Sequence, residues 1–281
     1  MNALGASAGL GVLSAASWGG SDFVGGLGSR RAPALLVTAS GQAISLLLLL
    51  PLCLLTGVAM PQGRSLAFAL IGGFEGALAL TVFYRALALG EMGITAALTG
   101  LVTALIPILF SLAHYGLPSV LTGCGLAAGC AAIWLITHQP KRGSAAAPAR
   151  ALLLGALAGT GFGSQLILFK MAEGASLFAI LTAARVAGLT ALLLVLVWVR
   201  PRSSGGAFWL AGAASGILDG AGNLLYLRAV QLGRLDSAAV ICSLYPAGTI
   251  LLAALILRER PSRRQVAGMA LALGAVALLS M

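Results

Sequence analysis

Residues from Glu75 to about Ile133 return 143 positions downstream, and each copy holds an odd number of apolar spans. Tyr84-Arg85-Ala86-Leu87-Ala88-Leu89-Gly90 falls on Leu227-Arg228-Ala229-Val230-Gln231-Leu232-Gly233, Pro118-Ser119 on Pro261-Ser262, and Gly125 on Gly268. A unit with an odd number of spans returns the chain to the opposite side of a bilayer, so its second copy is inverted. Inverted repeats of this kind accompany alternating access to a site between the copies. The expected fold class is therefore an all-α membrane protein with ten transmembrane helices, arranged as two inverted five-helix repeats around a central cavity.

Composition agrees with a bilayer. Only 9% of the 281 residues are charged and the mean hydropathy is +1.02, whereas soluble domains carry about 25% charged residues. The net charge of +10 is scattered over short loops without a basic stripe, which argues against nucleic acid as a partner. Cys53, Cys124, Cys130 and Cys242 lie in apolar spans without metal-ligand spacing and read as packing residues. The amino-terminal residues lack a basic region and a cleavage site, so the first span is expected to stay in the protein.

Glycine, proline and charge divide the chain into spans at about 3–27, 33–57, 65–89, 94–113, 118–138, 150–171, 175–199, 207–231, 236–256 and 262–281. The segment 139–149 is the single linker-like stretch, joining a first repeat at 1–138 to a second at 150–281. Loops after odd-numbered spans hold 12 Lys and Arg, against 4 after even-numbered spans. The positive-inside rule then puts both termini on the non-cytoplasmic side, here of the plasma membrane, or the inner membrane if the source is bacterial. Gly155, Gly159 and Gly163, Gly212, Gly216 and Gly220, and the pairs Gly72/Gly76 and Gly125/Gly129 recur every four residues. Such faces let helix backbones approach closely, and also let one bundle slide on another.

Ionisable groups inside a membrane normally face a partner or a wet cavity. Asp22, Glu75, Arg185 and Asp219 qualify, with Lys170 nearer a helix end. Glu75 and Asp219 stand 144 residues apart, one position off the repeat, and are expected to flank the cavity from opposite walls. Arg185 is expected in a buried ion pair with a carboxylate ahead of direct solute contact. Asn223 and Tyr226 share a helical face with Asp219, and Trp18, Gln42, Gln165 and Tyr245 supply further amphipathic groups. Pro107 and Pro246 interrupt backbone bonding in spans 4 and 9 and are candidate hinges.

The order of several short motifs resembles the EamA family of the drug/metabolite transporter superfamily over nearly the whole chain. These are Ser17-Trp18-Gly19-Gly20-Ser21-Asp22-Phe23, Phe83-Tyr84-Arg85-Ala86-Leu87, Ala184-Arg185, Tyr245-Pro246, and Leu257-Arg258-Glu259-Arg260-Pro261 followed by Gly268. The resemblance implies ten helices, a cavity between repeats, and export or exchange of small metabolites, amino acids or drugs. The halves depart from each other: Gly116 stands for Glu259, Thr103 for Pro246, and Gly41-Gln42 near the place of Arg185. The small multidrug relatives use a glutamate in helix 1, where the nearest acid here is Asp22, so proton-coupled efflux does not carry over directly.

The leading expectation is a secondary transporter moving a small-molecule substrate outward, with amino acids or related amphipathic solutes in view. A passive facilitator or channel, and multidrug efflux by proton antiport, stand as alternatives. An enzyme is not expected: His114 and His138 are the two histidines, and no zinc-protease motif, nucleophile elbow or nucleotide-binding loop occurs. No cofactor or metal is expected, and the bilayer is the expected partner of a monomer or weak homodimer.

Overall fold

The computed structural model describes residues 3–89, 92–137, 149–201, 206–256 and 262–279. Among these residues the fold is all helical. Its elements are α1 (Ala3–Ser29), α2 (Ala34–Leu55), α3 (Gly63–Leu89), α4 (Met92–Tyr115), α5 (Val120–Thr137), α6 (Ala149–Met171), α7 (Leu177–Val199), α8 (Ala207–Leu232), α9 (Leu235–Cys242), α10 (Tyr245–Ile256) and α11 (Arg263–Leu279). Six stretches are long and apolar enough to cross a membrane by length and composition, and α5 and α11 contain shorter apolar runs. The expected linker falls mostly outside the described residues, as does His138. Each of the ten stretches read from the sequence is helical, but the ninth is in two pieces, α9 and α10. They are separated at Ser243 and Leu244, just ahead of Pro246.

Contacts between small residues set the helix directions. α2 runs parallel to α8, with Gly41 against Gly216 and Ser45 against Gly220. α3 runs parallel to α7, with Gly73 against Ala184 and Ala77 against Gly188. α1 opposes α8 through Ser7 on Ala229, Ser14 on Gly222 and Ser21 on Ser215. α3 opposes α6 through Ser65 on Ala172, Gly72 on Phe169 and Gly76 on Gln165. α4 follows α6, with Thr99 on Gly155 and Thr103 on Gly159, and α5 opposes α11, with Gly125 on Leu279 and Gly129 on Ala275.

α2 is 22 residues long, about 33 Å, and packs on α3. Residues 56–62 that join them reach at most about 25 Å, so α3 must fold back against α2. Since α2 follows α8, α3 runs opposite to α8. The glycine faces all serve these seams: the three on α6 meet α4, the three on α8 meet α2, and Gly72 and Gly76 meet α6.

Apolar surface divides as a membrane environment requires. Leu55, Leu117, Val120, Trp198 and Leu210 are exposed, while Ser14, Thr38, Ser40, Ser45, Thr95 and Thr99 are buried. Several of the inward hydroxyls donate to carbonyls of their own or neighbouring helices, as with Ser14 Oγ to Gly222 O at 2.8 Å and Thr249 Oγ1 to Gly19 O at 3.1 Å. Helices in lipid gain little from apolar contact with one another, so close backbone approach and these bonds hold the bundle.

Candidate functional site

A small hollow lies between the helices, lined by Trp18 and Asp22 of α1, Leu80 of α3, Thr103 of α4, Phe162, Gln165 and Leu166 of α6, Asp219 and Asn223 of α8, and Tyr245 of α10. Its solvent space is about 40 Å³. That is room for a few waters, each needing at least about 10–15 Å³ by this measure, and too little for a metabolite.

Aromatic rings stand toward both ends. Toward the carboxyl end of α3, Phe83 meets Phe162 edge-on at 5.7 Å and Tyr245 at 6.3 Å between centroids. Beside them Tyr84 is buried and bonds Ser21 Oγ at 3.0 Å, and Ser21 Oγ donates to Ser215 O at 3.0 Å. Toward the carboxyl end of α8, Tyr226 packs on Trp18 at 5.9 Å and donates to Leu166 O at 2.7 Å.

One wall is a polar chain across three helices. Arg185 Nη2 lies 2.6 Å from Asp219 Oδ2, and Arg185 Nη1 donates to Gln42 Oε1 at 2.9 Å. Asn223 Nδ2 donates to Asp219 O at 2.8 Å and to its Oδ1 at 3.1 Å. Asn223 Oδ1 and Arg185 Nε are buried without hydrogen-bond partners. Gln42 and Arg185 are 143 residues apart, so the two copies of one repeat position touch each other here. Asp22 is different: it is 6% exposed and lines the hollow. Among the described residues no basic side chain lies within ion-pairing distance of it.

Several residues singled out in the sequence meet at this site: Trp18, Asp22, Gln165, Asp219, Asn223 and Tyr245 line the hollow, with Gln42 and Arg185 behind Asp219. Two do not line it. Glu75 is half-buried, its Oε2 buried and unpartnered, and it lies outside the lining. The repeat offset puts Gly76, not Glu75, in register with Asp219, and one residue of slip turns a side chain about 100° around a helix. Tyr226 shares the face of Asp219 but sits seven residues, about 10 Å, farther along, where it backs Trp18. Pro107 is buried inside an unbroken α4, and Pro246 is the second residue of α10 after the break. Leu80, Thr103, Phe162 and Leu166 were not picked out for the cavity. Gln165 and Asp22 are themselves repeat mates, and applying the offset to Asn223 would have found Leu80.

A second hollow of about 310 Å³ opens between the ends of α4 and α6 and the start of α9. Its charges are already spent on one another, Lys170 with Glu173 at 2.8 Å and Arg234 with the buried Asp236 at 2.7 Å. The bond to Asp236 pushes the Arg234 guanidinium above its ordinary range. No group of His, Cys, Asp and Glu suited to a metal occurs among the described residues.

Residues 149–281 match the EamA-like transporter family. This second half of the chain is therefore EamA-like, of a family within the drug/metabolite transporter superfamily, and the long apolar helices make the protein a multi-pass membrane protein. A crystal structure of a protein superposes with a TM-score of 0.78 at 19% identity, covering 97% of this chain and 95% of that one. At that identity the likeness speaks for the fold alone. No curated protein matches the chain in sequence.

Proposed function

We propose that the protein is a secondary transporter that carries small metabolites, amino acids or related amphipathic solutes, outward across the plasma membrane by alternating access. In this reading ten spans form two inverted five-helix halves, 1–138 and 150–281, joined by 139–149, with both termini non-cytoplasmic. It works as a monomer or weak homodimer without cofactor or metal, on a small-molecule substrate within the lipid bilayer.

The observation that carries the reading is the membership of the hollow's walls. Spans 1, 3 and 4 contribute from the first half, and their mates, spans 6, 8 and 9, from the second. Two further facts support it. Helices 3 and 8 are mates that run in opposite directions. Gln42 bonds its own mate Arg185, and two copies of one position can touch only near the axis that relates them. A narrow hollow between the halves, with aromatic rings toward both ends, suits a site that alternating access exposes to one side and then the other. Rocking one triplet of helices against the other on the glycine seams opens either end in turn.

Counterflow in proteoliposomes tests the proposal. A carrier exchanges labelled for unlabelled solute with saturation, whereas ohmic current through the purified protein identifies a channel. Saturable uptake driven by a pH gradient assigns proton antiport; equal rates with and without the gradient assign facilitation. Carboxyl-terminal fusions test the orientation: an active phosphatase is expected, and a fluorescent cytoplasmic reporter with an inactive phosphatase reverses it.

A further inference from the structure

We infer that the central site recognises a small monovalent organic cation, a protonated amine, with Asp22 as its counter-charge. The inference rests on the transporter reading above and narrows its substrate class.

The argument is a charge count. The hollow is lined by two carboxylates, Asp22 and Asp219. Arg185, 2.6 Å from Asp219 and bonded on its other arm to Gln42, neutralises one of them. Among the described residues no other charged side chain lines the hollow: Lys170 holds Glu173, Arg234 holds Asp236, and Glu75 lies outside the lining. With Asp22 ionised the site is one positive charge short, and the deficit sits on a side chain that is 6% exposed and lines the hollow. A carboxylate in a low-dielectric interior is stabilised by a cation that replaces its lost water.

The remaining walls suit an alkylammonium better than a metal ion. Trp18, Phe162 and Tyr245 line the hollow, and the faces of such rings attract a soft cation. Asn223 Oδ1 is a buried acceptor without a donor, and an ammonium N–H is a donor of the right kind. An anion meets the opposite situation, with Arg185 already held on both arms. A zwitterion brings its carboxylate into the same apolar, acidic enclosure.

The test is binding of four probes of similar size to the purified full-length protein in detergent, by isothermal titration calorimetry. The probes are butylammonium, butyramide, butyrate and the zwitterion 4-aminobutanoate. Butylammonium is expected to bind, the amide and butyrate not, and the zwitterion at least about tenfold more weakly, a charged hydrogen bond being worth one to two decades. Asp22→Asn keeps the shape and is expected to weaken butylammonium by about tenfold or more. Moving the acid to its repeat mate, Asp22→Gln with Gln165→Asp, is expected to restore binding, which a merely structural role for Asp22 would not allow.

Tighter binding of the zwitterion, the amide or butyrate overturns the inference, as does failure of butylammonium to bind or its unchanged binding to a folded Asp22→Asn protein. None of these outcomes touches the transporter reading, which is decided by counterflow in liposomes. Absence of exchange for any solute, with the cation still bound, ends that reading and leaves the binding site.

Discussion

The crossing of α3 with α7 and the crossing of α2 with α8 occupy the same repeat positions, 143 residues apart, and fill them differently. In the first, Gly73 rests on the backbone of Ala184 and Ala77 rests on Gly188; in the second, Gly216 rests on the backbone of Gly41 and Gly220 receives Ser45. In the contact between positions 77 and 188 the glycine is on α7, and in its mate between 45 and 220 it is on α8. A small side chain has changed helices while the seam kept its volume. What is constrained is the space between backbones, not the residue at either position. One turn away the rule reverses. The mates Gln42 and Arg185, and Gly76 and Asp219, differ in charge, and that difference makes one wall of the hollow polar. Seams are read as sums, sites as identities.

The largest expected effect tests the equivalence of the two crossings. A Cβ at either Gly73 or Gly216 would fall on backbone that cannot swing aside. Gly73→Leu and Gly216→Leu are each expected to abolish monodisperse protein on size exclusion in detergent. The alanine variants are expected to lose about 1–3 kcal/mol each by overpacking. If one crossing tolerates leucine and the other does not, the comparison fails.

The second effect separates identity from volume. Arg185→Met leaves the half-buried Asp219 without its ion-pair partner and is expected to cost about 3 kcal/mol. At the mate position, Gln42→Met removes one hydrogen bond and is expected to cost about 1 kcal/mol. Arg185→Met with Asp219→Leu is expected to regain most of the loss, because an apolar pair of similar bulk replaces a buried ion pair at little net cost. Thermal unfolding of the four proteins checks this. A double variant no more stable than Arg185→Met alone would mean that Asp219 is held by Asn223 rather than by its arginine.

Much of this arrangement was legible in the chain. Glycine and proline punctuation located every helical stretch to within a few residues, because loops here are too short to hide where a span ends. The comparison of the halves also put Gly41-Gln42 near the place of Arg185, and the offset of 143 makes Gln42 its counterpart. Their bond to each other was not foreseen, since a repeat offset shows which positions correspond and not how close they stand to the axis. Glu75 shows the cost of a register relaxed by one residue: two acids at similar depth looked like mates, but a helix turns about 100° per residue and only Gly76 shares the heading of Asp219. Thr103 and Leu80 carry no charge and gave no signal on their own. They line the hollow because their helices bring them there.

The smallest expected effect concerns two prolines in mated spans. Pro107 lies within a continuous α4, whereas a turn at Ser243 and Leu244 precedes Pro246. A proline withholds one N–H from the carbonyl four residues back and crowds it. For Pro107 that carbonyl is Thr103 O, which faces the close approach of α6 at Gly163, and α4 continues past it as one helix. For Pro246 it is Cys242 O, and the chain responds with tighter bonds, Leu244 N to Ile241 O at 3.2 Å and Ala247 N to Leu244 O at 2.9 Å. The break places Tyr245 on the hollow, so it shapes the site as well as the helix. Pro107→Ala is expected to change stability by less than about 1 kcal/mol and leave exchange near residues 100–111 as it was, because α4 is already helical there. Pro246→Ala restores a donor to an unfinished turn and is expected to slow amide exchange over residues 239–250 by about tenfold. Hydrogen–deuterium exchange read by mass spectrometry measures both. Equal slowing in the two spans would show that proline alone, and not the packing of α6 on α4, decides where the helix breaks.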